Sequence, residues 1–173
     1  MLKNSLKNIG VKEGQILLDF GCGPGNYTIP AAEIVGESSS VYAVEKDRDK
    51  LDKLKRKSQE LYLDNIKFVN SNGGIKLNID DEFFNIILLY DIFSYFGLSN
   101  SRLIDLLREM YRLLKQNGFM SVYPKHVNTE KLIKRITQSG FSFRDKYYGN
   151  LLHGGKFEKG TLLNFTKTCY HEN

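Results

Sequence analysis

The sequence predicts an α/β protein: a single doubly wound, mostly parallel sheet of seven strands with an antiparallel last strand and helices on both faces. Three observations lead there. Short apolar runs alternate with longer stretches of helical periodicity, and strand, helix, strand in succession requires right-handed crossovers that leave the strands parallel. The first run, Ile16 to Leu18, breaks on Gly21, Gly23 and Gly25 just before a helical stretch, which points backbone N–H groups at a bound polar group. The last two runs have no helix between them, so they pair as a hairpin and reverse the final strand.

The elements follow from local pattern. Strand 15–20 carries the first apolar run, and helix 26–35 fills the stretch between the glycine turn and the Gly36 to Ser40 turn. Strand 41–45 is the run Val41 to Val44 closed by Glu45. In helix 47–62, Leu51, Leu54 and Leu61 recur near helical spacing behind Asp47, an N-cap residue, and the other faces are basic. Strands 66–70 and 84–90 come next. Helix 100–115 bears the apolar stripe Leu103, Leu106, Leu107, Met110, Leu113 and Leu114, with Asn117-Gly118 as its stop signal. Strand 118–123, helix 128–139 (Leu132, Ile133, Ile136, ending at Gly140) and strands 141–147 and 161–168 complete the sheet.

Composition sets outer bounds. The 173 residues suit one domain over 1–173 with a short N-terminal extension, and 41% hydrophobic with 26% charged residues is ordinary for a globular chain. No stretch approaches the roughly 20 apolar residues of a membrane span, and MLKNSLKNIG has no signal-peptide core, so a cytoplasmic protein without membrane contact is expected. Cys22 and Cys169 stand far apart, which fits a reducing compartment; no disulfide scaffold or metal site is expected.

The glycine turn and Glu45 carry the functional signal. Glu45 lies 20 positions after Gly25 at the tip of the second strand, where a carboxylate can hold a ribose diol. That spacing alone also suits a nicotinamide dinucleotide. The glycine pattern decides, because the dinucleotide fingerprint wants glycine where Asn26 stands, whereas here glycines alternate around Pro24 and follow a carboxylate, Asp19. DFGCGPG followed by VYAVEK resembles the first two motifs of the Rossmann-like (class I) S-adenosylmethionine-dependent methyltransferases. ELYLDNIKFVNSNG, FFNIILLYDIF and LLKQNGFMSVYP are similar to that family's third, fourth and fifth strand segments, so the resemblance covers roughly residues 10–168.

The resemblance implies S-adenosylmethionine as cofactor and assigns roles. Asp19 would orient the glycine loop and the amino acid end of the cofactor, and Gly21, Cys22, Gly23 and Gly25 would form the loop, with Cys22 as a small filler. Glu45 would hold the ribose and Lys46 would flank the adenine; Asn72, with Gly73, would meet the adenine edge, and Tyr90 would border the methionine part. Asn85 stands where the family often has aspartate, and Tyr62 where glycine is frequent.

The acceptor is not legible. Ligands of a parallel sheet sit beyond its carboxyl ends, so the acceptor should meet Tyr90 to Phe96, Tyr123 to Val127 and Tyr147 to Gly160. There Asp91 or His126 could accept a proton and Tyr95 or His153 could position the acceptor, but each also reads as an ordinary turn, loop or packing residue, so no catalytic residue is assigned. YDIF in place of an Asn-Pro-Pro-Tyr-like segment disfavours adenine amines. The short N-terminal segment leaves the acceptor side open to a macromolecule, a second copy in a homo-oligomer, or a mobile lid formed by Tyr147 to Gly160. A net charge of +5 keeps nucleic acid open, although the basic run Lys46 to Lys57 reads as a solvated helix face. A small-molecule acceptor is the favoured reading; RNA or protein methylation, and a non-catalytic cofactor-binding module acting through a partner, are the alternatives.

Overall fold

A computed structural model describes residues 1–97 and 101–168; the expected helix start at residue 100, and Cys169, lie outside them. The elements are α1 (Leu2–Ile9), β1 (Leu17–Phe20), α2 (Thr28–Val35), β2 (Val41–Glu45), α3 (Arg48–Glu60), β3 (Ile66–Asn70), β4 (Phe84–Tyr90), a 3-10 turn (Phe93–Tyr95), α4 (Ser101–Leu113), β5 (Leu114–Tyr123), α5 (Thr129–Gln138), β6 (Phe141–His153) and β7 (Lys156–Lys167). The sheet order is β3-β2-β1-β4-β5-β7-β6. β1 to β5 pair in parallel, and β7 lies antiparallel between β5 and β6. The predicted sheet, including its reversed last strand, is the observed one.

Alternating side chains of the strands feed two cores. On one face Leu17, Val41, Ala43, Ile86 and Leu88 pack against α1, α2 and α3 through Leu6, Ile9, Ala32, Val35 and Leu54. On the other, Leu18, Val44, Ile87, Leu89, Met120 and Phe165 pack against α4 and α5 through Leu106, Met110 and Ile136. Phe84 joins the second core although its parity matches Ile86, because a register shift between Phe84 and Ile86 turns the strand over. Asn85 sits in that irregularity and accepts a hydrogen bond from the Ile16 N–H at 2.9 Å, which gives it a structural role.

Three segments depart from expectation. The N-terminal extension forms α1, ended by Gly10, and docks on the far end of the chain: the Ser5 hydroxyl donates to the Asn150 carbonyl at 2.8 Å. Helix α4 stops at Leu113, earlier than the Asn117-Gly118 signal, because Leu114 already pairs with Phe84. The segment Tyr147 to Gly160, one of whose open readings was a mobile lid, is a paired hairpin with register Tyr147↔Leu162 through His153↔Lys156. Gly154 and Gly155 turn it with φ of 56° and 78°, the left-handed pair that a two-residue hairpin turn of right-handed twist needs. Leu51 and Leu54 of α3 are buried, but Leu61, just past its last residue, is 47% exposed, and Ser58 occupies the inner position instead. Tyr62 holds φ 54°, which accounts for a glycine preference at that place.

Candidate functional site

A cleft of ≈ 650 Å³ opens beyond the carboxyl ends of β1, β2 and β4. Gly21, Cys22, Gly23, Glu45, Lys46, Gly73 and Tyr90 line it, whereas Asp19, Gly25 and Asn72 do not. Asp19 lies beneath the loop, and Asn72 is exposed in a turn closed by its own N–H to Asn70 Oδ1 at 2.9 Å.

The glycines divide by function. A Cβ on Gly23 would meet no protein atom within 4 Å, so the space above it in the cleft is open. A Cβ on Gly25 would stand 2.1 Å from Leu54 Cδ1, so that glycine serves packing against α3. Gly25→Ala should therefore lower the melting temperature, with a loss of about 2–4 kcal/mol from overpacking and left-handed strain. Gly23→Ala should stay folded, at a strain of about 1–2 kcal/mol, and weaken cofactor binding in calorimetry; normal affinity in a folded Gly23→Ala would remove Gly23 from the contact surface.

Glu45 anchors the cleft. Its Oε2 accepts from the Gly23 N–H at 2.9 Å, and its Oε1 accepts from the N–H groups of Lys46 at 2.9 Å and Asp47 at 3.0 Å. One carboxylate thus ties the glycine loop to the start of α3, and of its roughly four acceptor positions about one stays open for a ligand hydroxyl. Beneath it, Asp19 accepts from the Thr28 hydroxyl at 2.6 Å. Burial pushes the Asp19 carboxyl up to about 6; the Thr28 bond opposes the shift and the Glu45 charge adds to it. Burial also drives the Cys22 thiol far up, with Asp19 and Glu45 adding, so it stays protonated.

The hairpin supplies a wall that comes from far along the chain. The Tyr27 hydroxyl accepts from the Leu152 N–H at 2.8 Å and donates to the Leu152 carbonyl at 3.2 Å, clamping β6 to the loop that leads into α2. Burial pushes the Tyr27 phenol up to about 12, which keeps it a donor. Its ring meets Tyr90 edge-on at 4.7 Å, and the Tyr90 hydroxyl bonds Ser121 Oγ at 2.9 Å. Tyr27→Phe strands the Leu152 N–H and should destabilise by about 1–3 kcal/mol in urea denaturation; an unchanged midpoint would show that the clamp carries no weight.

On the acceptor side, three of the four sequence candidates meet. Asp91 Oδ2 lies 2.5 Å from His153 Nδ1, and His153 Nε2 lies 2.9 Å from His126 Nε2. Beside them Glu158 accepts from the Tyr123 hydroxyl and from Lys125 Nζ. Tyr95 stands apart, 76% exposed, with Lys46 Nζ 5.3 Å from its ring centre. Ile92, Phe96 and Leu152 line the cleft from within the segments expected to meet the acceptor, whereas Phe20, Tyr27, Ile75 and Arg102 also line it and were missed by sequence reasoning.

The methyltransferase domain family model matches residues 17–118. The chain belongs to the class I S-adenosylmethionine-dependent methyltransferase family. Among curated methyltransferases, the demethylmenaquinone methyltransferase of Oceanobacillus iheyensis is 30% identical over 67% of this chain and 47% of its own length. The Staphylococcus aureus (strain MRSA252) demethylmenaquinone methyltransferase is 27% identical over 90% of this chain and 62% of its own. The chain thus spans about half to three fifths of these curated relatives. A methyltransferase structure from Aquifex aeolicus shares the fold, with a TM-score of 0.74 and 21% identity over 95% of this chain and 89% of that one.

Proposed function

We propose that the chain binds S-adenosylmethionine in this cleft and transfers its methyl group to a small hydroxylated aromatic molecule of the quinol class. The observation that carries the cofactor assignment is Glu45, fixed by three backbone N–H groups at the tip of β2 and lining the cleft. When bound, the cofactor supplies an electrophilic methyl on a sulfonium whose departure needs little assistance. The chain contributes alignment and exclusion of water. Glu45 holds the ribose, Lys46 flanks the adenine, and Ser71 and Gly73, on either side of Asn72, meet the adenine edge. Asp19 favours the cationic end from below the loop, and Tyr90 borders it.

The acceptor reading draws on the relatives named for demethylmenaquinone and on apolar lining from Ile75, Ile92, Phe96 and Leu152. A cleft of ≈ 650 Å³ falls in the usual range for small-molecule sites. Among the described residues no helix is long and apolar enough to cross a membrane. Calorimetric titration with S-adenosylmethionine and with NAD tests the cofactor: binding of NAD alone would overturn it. Labelled-methyl transfer to reduced 1,4-naphthoquinone, total RNA and lysate protein tests the acceptor, and transfer confined to RNA or protein would overturn the small-molecule assignment.

A further inference from the structure

We propose that Asp91 is the general base of the transfer, aimed by a His153–His126 pair behind it, and that the acceptor therefore carries an acidic hydroxyl. This deepens the functional reading above and rests on it. Asp91 lines the cleft, as do Leu152 and Gly154 on either side of His153, while His126 is exposed at the outer end. The three groups form one chain from cleft to solvent, at 2.5 Å and 2.9 Å. A carboxylate only accepts, so His153 Nδ1 bears the proton it shares with Asp91; its Nε2 is then an acceptor, and His126 Nε2 is the donor. The tautomers are fixed in series, and among the described residues the second Asp91 oxygen is left for the cleft.

Backbone geometry supports a selected arrangement. Asp91 and His126 both take left-handed conformations, φ 60° and 61°, which non-glycine residues adopt at a cost and which concentrate at functional sites. They follow β4 and β5, and His153 ends β6, so three strands deliver one residue each to the same end of the sheet.

The step balances. The acceptor O–H bond breaks with its electron pair staying on oxygen and its proton going to Asp91. The new bond forms from the hydroxyl oxygen, or from the conjugated ring carbon of a quinol, whose own proton then returns to the oxygen. The carbon–sulfur bond breaks with its pair on sulfur. Asp91 releases the proton to water when the product leaves.

The histidines act through Asp91 and are positioning residues. The groups facing them are Asp91, Glu158, Lys125 and Tyr123, with Tyr27 nearby; the Tyr123 phenol is held protonated by burial and Glu158.

The test uses the full chain with S-adenosylmethionine and 1,4-naphthohydroquinone, with aniline as an acceptor lacking an acidic hydroxyl. Asp91→Asn should lower the transfer rate by at least about a hundredfold while cofactor affinity stays within about twofold. His153→Ala should move the acidic limb of the rate profile to higher pH. His153→Asn, which keeps an N–H toward Asp91, should restore it. Nitrogen-15 spectra of the imidazoles should show opposite tautomers for the two histidines. Failure to bind the cofactor refutes the functional reading of the cleft instead. Cofactor binding without transfer to the hydroquinone, an Asp91→Asn variant at wild-type rate, or an unshifted profile in His153→Ala would overturn this proposal.

Discussion

Glu45→Ala should weaken S-adenosylmethionine binding by about 1.5–3 kcal/mol, roughly 10- to 150-fold, the range for hydrogen bonds to a charged group. The structure adds a second loss. Three backbone N–H groups, of Gly23, Lys46 and Asp47, give up their acceptor together, so the glycine loop and the start of α3 are no longer joined. Water reaches the cleft and replaces part of this, which leaves a destabilisation of about 1–2 kcal/mol. Glu45→Gln is no benign control, since its NH2 group must face at least one of those N–H donors. Both variants should show raised Kd in calorimetry and lowered melting temperature. Unchanged affinity for S-adenosylmethionine would remove Glu45 from the site.

Asp19→Asn should do the opposite to stability. Asp19 is 3% exposed, and burial raises its carboxyl to about 6, above the ordinary value of 3.8. The folded chain therefore holds that proton more tightly than the unfolded chain. The corresponding stability is fully present below pH ~4 and is lost as pH rises through ~6, amounting to ~3 kcal/mol by pH 7. Asparagine keeps an acceptor for the Thr28 hydroxyl without the buried charge, so melting at pH 7 should rise by about 6–12 °C and the gain should vanish near pH 4. A melting temperature that is unchanged at pH 7, or that rises equally at pH 4, would sink this account. S-adenosylmethionine should stabilise the wild type more than the variant, because its cationic end favours the ionised carboxyl. On the proposed reading, the wild-type residue gives up stability in favour of binding.

The regular part of the fold was legible because it depends on local pattern. Buried runs such as Ile86 to Leu89 and stripes such as Leu103 to Leu113 specify strand or helix without long-range information. The first loop and Glu45 were legible for the same reason, being a spacing within one βαβ unit. α1 was overlooked although Leu2, Leu6, Ile9 and Gly10 are its signature, since eight residues carrying two lysines and two asparagines read as a tail. The terminal hairpin was foreseen but its strands were read too short, because Gly154-Gly155 reads equally as a hinge or as a tight turn, and only the pairing on both sides decides. The acceptor-side cluster was not legible as a unit. Asp91 and His153 stand 62 positions apart, and His126 and His153 stand 27 apart. Their meeting depends on sheet order, which places the ends of β4, β5 and β6 at one rim.

The clamp between Tyr27 and Leu152 joins positions 125 residues apart, and the Ser5 to Asn150 bond joins positions 145 apart. Contacts of such range form late, since closing a long loop precedes any reward from the contact. Refolding chains should therefore regain helical signal before they regain affinity for the nucleoside. The recovery of ligand fluorescence or heat should follow the slowest kinetic phase, and on a ribosome the pocket would stay incompetent until the final hairpin had emerged.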